Sequence, residues 1–219
     1  MKFIKLNEDH SRLADRDYPV MNSLDVYRSD SFLLREFFWL RLRILTYLIS
    51  KISNNRKLIL DFGGGGGVML PTLAKYFQKV HLIDISIQDA QSVVEFYKLS
   101  NVNLIESNIL KTNMEDGCYS NILAADVLEH FEDIDLPIQK IKSWLSSGGV
   151  LYTSLPTENF FYRLLRTVFK KQKPHDHYHT ADVVERALKR NGFIKKAALY
   201  HPLILPILPL FRISAWQKI

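Results

Sequence analysis

The sequence predicts an α/β chain built on a doubly wound, mostly parallel sheet, and three observations carry that prediction. Short apolar runs alternate with amphipathic stretches from Lys57 to Ser154. Strands that alternate with helices pair in parallel through right-handed crossovers. The stretch Leu58–Val68 reads as a strand buried on both faces, a run of five glycines and the start of a helix, the geometry that brings a backbone close to a bound nucleotide. Acids then stand at successive strand ends, Asp61, Asp84 and Asp126, where ligands of such sheets bind.

Each element follows from its own pattern. Met1–Asp30 lacks periodicity and reads as an irregular arm. Ser31–Ser53 is a long helix with an unusually apolar face, interrupted by Arg35, Arg41, Arg43 and Lys51. Those charges argue against a membrane span. The helix either packs over the sheet or also touches a bilayer interface as a basic amphipathic element. Strand 57–62 leads to helix 68–77, strand 80–85, helix 88–99, strand 102–106, strand 120–126, a helix within 136–145 and strand 149–154. Residues 157–179 form an insertion whose segment 159–173 is basic, aromatic and amphipathic. It suits a substrate lid or a membrane-interface element. Thr180 reads as the N-cap of helix 181–190 and Gly192 as its stop. Strand 193–200 follows. Pro202, Pro206 and Pro209 bar a helix from the apolar tail, and Arg212–Lys218 alternates as a last strand. The arm and first helix, 1–55, thus precede one domain, 56–219.

Apolar residues make up 47% of the 219, enough for one packed core. A single cysteine, Cys118, excludes a disulfide framework and a multi-thiolate zinc site. The N-terminus has no apolar segment of the secretory kind, so the expectation is a cytoplasmic protein, with peripheral contact to a membrane as the alternative. The net charge of +6 is unevenly spread: residues 61–159 carry 13 acids against 6 bases, and residues 160–219 carry 12 bases against 3 acids. An acidic core suits a positively charged ligand, and basic flanks suit an anionic partner or surface.

The glycine run decides among nucleotide sites. A phosphate-binding loop needs Lys-Ser/Thr after its last glycine, and Val68-Met69 stand there. The dinucleotide fingerprint misses its last position at Val68. The best fit is Asp61-x-Gly63-x-Gly65-x-Gly67, which resembles the first motif of the class I S-adenosylmethionine-dependent methyltransferases. Asp126-Val127-Leu128-Glu129-His130 looks like the Asp-x-Leu-Glu-His segment of the ubiquinone and menaquinone biosynthesis methyltransferases and their small-molecule relatives. Ser147-Gly148-Gly149 stands where those relatives often carry Pro-Gly-Gly. The resemblance spans roughly Lys57–Ser154, and more loosely the insertion ending in Pro174–Thr180.

The resemblance implies a Rossmann-like sheet of seven strands, the last antiparallel, and S-adenosyl-L-methionine as cofactor. Asp61, Gly63, Gly65 and Gly67 then line the donor's amino-acid end, Asp84 takes the ribose hydroxyls, and Ile85 lies against the adenine. Asn108, with Ile109 beside it, stands where relatives carry an acid for the adenine amino group, and asparagine keeps a carbonyl acceptor. Asp126 completes the cofactor set. A hydroxyl nucleophile is helped by a general base. His130 is the first candidate, followed by His175 and His179, with His177 in the same loop. No metal is expected: the 175–179 cluster follows a proline in a loop, where its alternate spacing does not converge on one ion. No Asn/Asp-Pro-Pro-Tyr/Phe or Pro-Cys motif follows the fourth strand, which disfavours nucleic-acid bases as acceptors. The expected activity is methyl transfer, at oxygen, to a small-molecule, lipid-linked or glycan-type acceptor. The alternatives are a membrane-peripheral quinone-type enzyme and a non-catalytic cofactor-binding module.

Overall fold

The computed structural model describes residues 1–6, 27, 30–157, 178–202 and 209–219. A seven-stranded sheet forms its centre, in the order β3-β2-β1-β4-β5-β7-β6. The strands are β1 (Leu58–Phe62), β2 (Lys79–Asp84), β3 (Val102–Glu106), β4 (Tyr119–Ala125), β5 (Leu145–Pro156), β6 (Phe193–His201) and β7 (Phe211–Lys218). The first five are parallel, and β7 runs antiparallel between β5 and β6. Strand order reverses between β1 and β4, the switch point at which open α/β sheets bind ligands.

Among the described residues five α-helices cover the two faces: α1 (Phe32–Ile52), α2 (Leu70–Tyr76), α3 (Gln88–Tyr97), α4 (Asp135–Trp144) and α5 (Ala181–Arg190). On one face Trp39, Leu42, Leu45 and Ile49 of α1 share a core with Leu70 and Leu73 of α2 and Ala90 and Val93 of α3. On the other, Ile138, Ile141 and Trp144 of α4 pack with Val184 and Leu188 of α5 against Leu60, Ile122 and Trp216. Ile59, Leu60 and Phe62 are fully buried, as the apolar run of β1 requires of a strand covered on both sides.

The predicted boundaries move by a few residues. Strand β5 begins at Leu145 rather than at 149, because its pairing with β4 shifts register between Tyr119 and Asn121 and takes in the Ser-Ser-Gly-Gly turn. Asp126 falls outside β4, and its backbone turns left-handed with φ 51°. Thr180 occupies the N-cap of α5, but its side chain makes no capping hydrogen bond. The helix start is fixed instead by Val183 and Val184 N–H groups donating to the Thr180 carbonyl.

Candidate active site at the carboxyl end of the sheet

The glycine run turns the chain from β1 into α2. Gly63, Gly65 and Gly67 have φ of 68°, 48° and 70°, so the alternating register of the motif is the register of the left-handed residues. That region strains any residue with a Cβ. The first obstacle to a Cβ here is protein. An added Cβ on Gly63 would lie 2.2 Å from Val127 Cγ2, and one on Gly67 would lie 2.8 Å from Leu70 Cδ1 and 3.1 Å from the Ala90 backbone. The turn is therefore clamped between the residue after Asp126 and the start of α3.

Two acids stand behind this turn. Asp61, the fourth residue of β1, is 3% exposed. Burial, and then the nearby Asp84 carboxylate, push its pKa up to about 7. Asp84 ends β2. Its Oδ2 accepts the Gly65 N–H at 2.8 Å and its Oδ1 accepts the Ser86 N–H at 3.3 Å. It thereby ties the tip of the glycine turn to the neighbouring strand end. Ile85 beside it is 63% exposed, an apolar surface open next to a carboxylate.

After β3 the two predicted contacts are placed differently from one another and from Asp84. The Asn108 side-chain carbonyl accepts the Leu110 N–H at 3.0 Å and so caps its own turn. Ile109 is buried in the core beneath α4, supporting the turn from below.

After β4 a short 3-10 turn, Leu128–His130, carries the first predicted base. The Tyr178 and His179 N–H groups donate to the Glu129 carbonyl at 2.9 and 3.4 Å, and His179 Nε2 lies 3.1 Å from the Glu132 carbonyl. A carbonyl can only accept, so Nε2 carries the hydrogen and Nδ1 is the basic nitrogen of His179. The backbone of His179 is thus held to the turn that carries His130 at the carboxyl end of β4. His175 and His177 lie outside the described residues. Among the described residues no group of three or more His, Cys, Asp or Glu side chains could hold a metal ion.

One part of the site escaped the sequence reading. Arg41 of α1 is 2% exposed and forms an ion pair with Asp126. Its guanidinium also donates to the Tyr27 hydroxyl at 2.6 Å and reaches Ser154 Oγ at 3.5 Å, and its carbon sits 4.7 Å from the Phe211 ring centroid. His201, fully buried at the end of β6, packs on Phe37 with ring centroids 4.1 Å apart. Burial, and secondarily the Arg41 charge, lower its pKa to about 4, so it is neutral at pH 7. The signal for Arg41 was present: it falls in phase with Leu34, Phe37, Phe38, Leu45 and Leu48 on the apolar stripe of its helix, where a charge needs a buried partner.

Hydrogen bonds also hold the ends of two segments beside this site. Thr157 donates its N–H to the Leu210 carbonyl at 3.0 Å and its hydroxyl to the Pro209 carbonyl at 2.6 Å, and Leu210 N–H donates to the His201 carbonyl at 2.8 Å. The stems of segments 158–177 and 203–208 are thus fixed to β5, β6 and the β4 turn.

Residues 32–195 match the family described as methyltransferase domain. The (S)-tetrahydroprotoberberine N-methyltransferase of Eschscholzia californica is 26% identical over 99 residues, which cover 43% of this chain and 28% of that protein. A ubiquinone biosynthesis O-methyltransferase of Coxiella burnetii is 29% identical over 119 residues, 53% of this chain and 50% of that protein. The chain therefore spans half or less of these curated relatives' length. Among solved structures, N-methyltransferase NodS from Bradyrhizobium japonicum WM9, in complex with S-adenosyl-L-homocysteine, superimposes with a TM-score of 0.64 at 17% identity, covering 87% of this chain and 89% of that one.

Proposed function

We propose that this chain, which belongs to the methyltransferase-domain family, moves a methyl group from S-adenosyl-L-methionine to a hydroxyl of a small-molecule acceptor. The relatives named above act at nitrogen and at oxygen, so the choice of oxygen rests on this chain's own residues. What supports it is His130 on the turn that follows β4, with His179 held to the same turn through its N–H to the Glu129 carbonyl. A hydroxyl must lose its proton as it attacks, and a positioned imidazole can take it.

The donor site fits the cofactor in its chemistry. Asp84 carries two carboxylate oxygens beside an exposed apolar Ile85, the pair that a ribose and a purine face need. The buried Asp61, its pKa raised to about 7, is a proton-holding acid that a nearby ammonium would return to its charged form. When bound, the donor supplies a methyl group on a positively charged sulfur, which needs no covalent help from the protein. What remains for the chain is alignment of the nucleophile about 3 Å from its target and exclusion of water. The β4 turn and the segment that begins at Tyr178 stand where that work is done.

Calorimetry tests the donor site directly. Folded protein is expected to bind S-adenosylhomocysteine, and Asp84→Ala to weaken that binding by roughly 10–100-fold. Unchanged affinity in the variant would remove Asp84 from the site. The acceptor is then sought by mass spectrometry of extracts incubated with methyl-labelled cofactor.

A second reading has an observation of its own. Leu33, Leu40 and Tyr47 recur every seven residues along α1 and are 78%, 43% and 54% exposed. Arg43 stands among them half-exposed, and Lys51 lies over the Tyr47 ring. Such a stripe suits the surface of an anionic membrane, although no helix among the described residues is long and apolar enough to cross one. Co-sedimentation with phosphatidylserine vesicles at low salt is expected to retain the protein, and Leu33→Glu with Leu40→Glu to release it. Equal recovery of both proteins in the supernatant would discard this reading.

A further inference from the structure

The ion pair between Arg41 and Asp126 has no place in donor binding as described above, and its position calls for one. Asp126 is the first residue beyond β4, in a left-handed conformation with φ 51°. Its N–H donates to the Ser154 carbonyl at 2.9 Å, and Val127 after it presses on the glycine turn at Gly63. Arg41 arrives from α1, which packs over β5, β6 and β7. It takes Asp126 Oδ2, while Oδ1 is buried and meets no hydrogen-bond donor among the described residues. The Arg41 side chain is 3% exposed and that of Asp126 30%, and desolvating the guanidinium offsets much of the pair's attraction, so the pair is a weak source of stability. A buried carboxylate oxygen without a donor adds to that cost.

We propose that Arg41 is a positioning residue for methyl transfer. By binding one oxygen of Asp126 it fixes that carboxylate beside the donor turn, offsets its charge there, and leaves Oδ1 to accept a hydrogen bond that orients the incoming hydroxyl, whose proton goes to the imidazole named above. A pair balanced in this way suits an uncharged acceptor group that still carries a hydrogen, such as a hydroxyl, and not a preformed anion. The inference rests on the donor assignment made above.

Three ligands test it without knowledge of the acceptor. S-adenosylhomocysteine has a neutral sulfur, S-adenosylmethionine a cationic one, and sinefungin a protonated amine in place of the sulfonium methyl. Affinities are measured by calorimetry for the parent protein, Arg41→Met, Arg41→Lys, Asp126→Asn and the double variant Arg41→Met/Asp126→Asn, with thermal melting as a separate record of stability. Asparagine tolerates the left-handed backbone at 126. Asp126→Asn is expected to lower the preference for the cationic ligand over the neutral one by roughly tenfold, and Arg41→Met to raise it by a similar factor. Arg41→Lys and the double variant should return it to the parent value. In Asp126→Asn the guanidinium claims the amide oxygen and turns the amide nitrogen, a donor, toward the site. Sinefungin should therefore lose more affinity than S-adenosylmethionine.

Melting temperatures that fall while all preferences stay within twofold of the parent would make the pair a packing device and overturn the proposal. Should Arg41→Met not fold, Arg41→Lys and Asp126→Asn decide the matter alone. Failure of the parent protein to bind any of the three ligands would overturn the donor assignment itself, and the role of the pair with it.

Discussion

Gly63→Ala is expected to destabilise the protein by about 2–5 kcal/mol, from a left-handed alanine at roughly 1–2 and overpacking at roughly 1–3. Binding of S-adenosylhomocysteine should disappear with it. Both contributions have a visible origin. Gly63 has φ 68°, and a Cβ there would meet Val127 Cγ2 at 2.2 Å and Val127 Cβ at 2.8 Å. The obstacle is the root of a branched side chain, so it cannot swing aside, and the β4 turn must move. That motion would carry Asp126 and the Leu128–His130 turn away from the donor loop. Urea denaturation of the single variant and of Gly63→Ala/Val127→Ala separates the two effects. The double variant should recover the part of the cost that comes from Cγ2 at 2.2 Å, and keep the backbone strain and the 2.8 Å contact with the Cβ of residue 127. A single variant within about 0.5 kcal/mol of the parent would mean that the turn and the β4 loop are not in rigid contact.

Asp61→Asn is expected to make the ligand-free protein more stable and its donor site worse. Burial, and then Asp84, hold the Asp61 pKa at about 7 against an ordinary value of 3.8. Between those values the folded chain keeps a proton that the unfolded chain has lost. Unfolding free energy therefore falls as pH rises from about 4 to about 7, and the cost is complete above 7. Asparagine is neutral throughout, so its advantage should reach up to roughly 4 kcal/mol at pH 8 and vanish below pH 4. Cofactor affinity should rise with pH through 7 in the parent, as Asp61 ionises, and lose that rise in Asp61→Asn. The measurement is denaturation at pH 4.5 and pH 8 with calorimetry across the same interval. Parallel stability profiles for the two proteins would show that Asp61 does not titrate in this window.

The glycine turn and the strand ends around it were legible because their signals are local. β1 is buried on both faces and so reads as Leu-Ile-Leu. Within the five-glycine run, the residues with positive φ are the three that the motif spacing picks out. Asp84 is found by counting to the next strand end. The Arg41–Asp126 pair was not legible as a pair. It joins residues 85 positions apart through the packing of α1 over β5, β6 and β7, and nothing near Asp126 in sequence announces a partner. Only the misplaced charge on an apolar stripe hinted at it. Asn108 shows another limit. The residue type allowed an acceptor role, and its oxygen also takes the Leu110 N–H two residues on, a local bond to which asparagine is prone and which the residue type alone does not announce. His201 reads as one more residue in an apolar, proline-rich tail, and only the sheet brings it to the carboxyl edge beneath α1.

The pinned stems have a consequence for how such a chain can change. Thr157, Leu210 and His201 close one side by hydrogen bonds, and Tyr178 and His179 close the other on the Glu129 carbonyl. Whatever lies between 158 and 177, or between 203 and 208, can be lengthened, shortened or exchanged without disturbing the register of β5, β6 and β7, since loop length itself adds little to the cost of closure. The donor turn sits on the far side of β4 and does not share those stems. The scaffold is thus modular: one end can be inherited unchanged while the other is rewritten, and a transplanted segment needs only to reproduce the anchor bonds at its two ends.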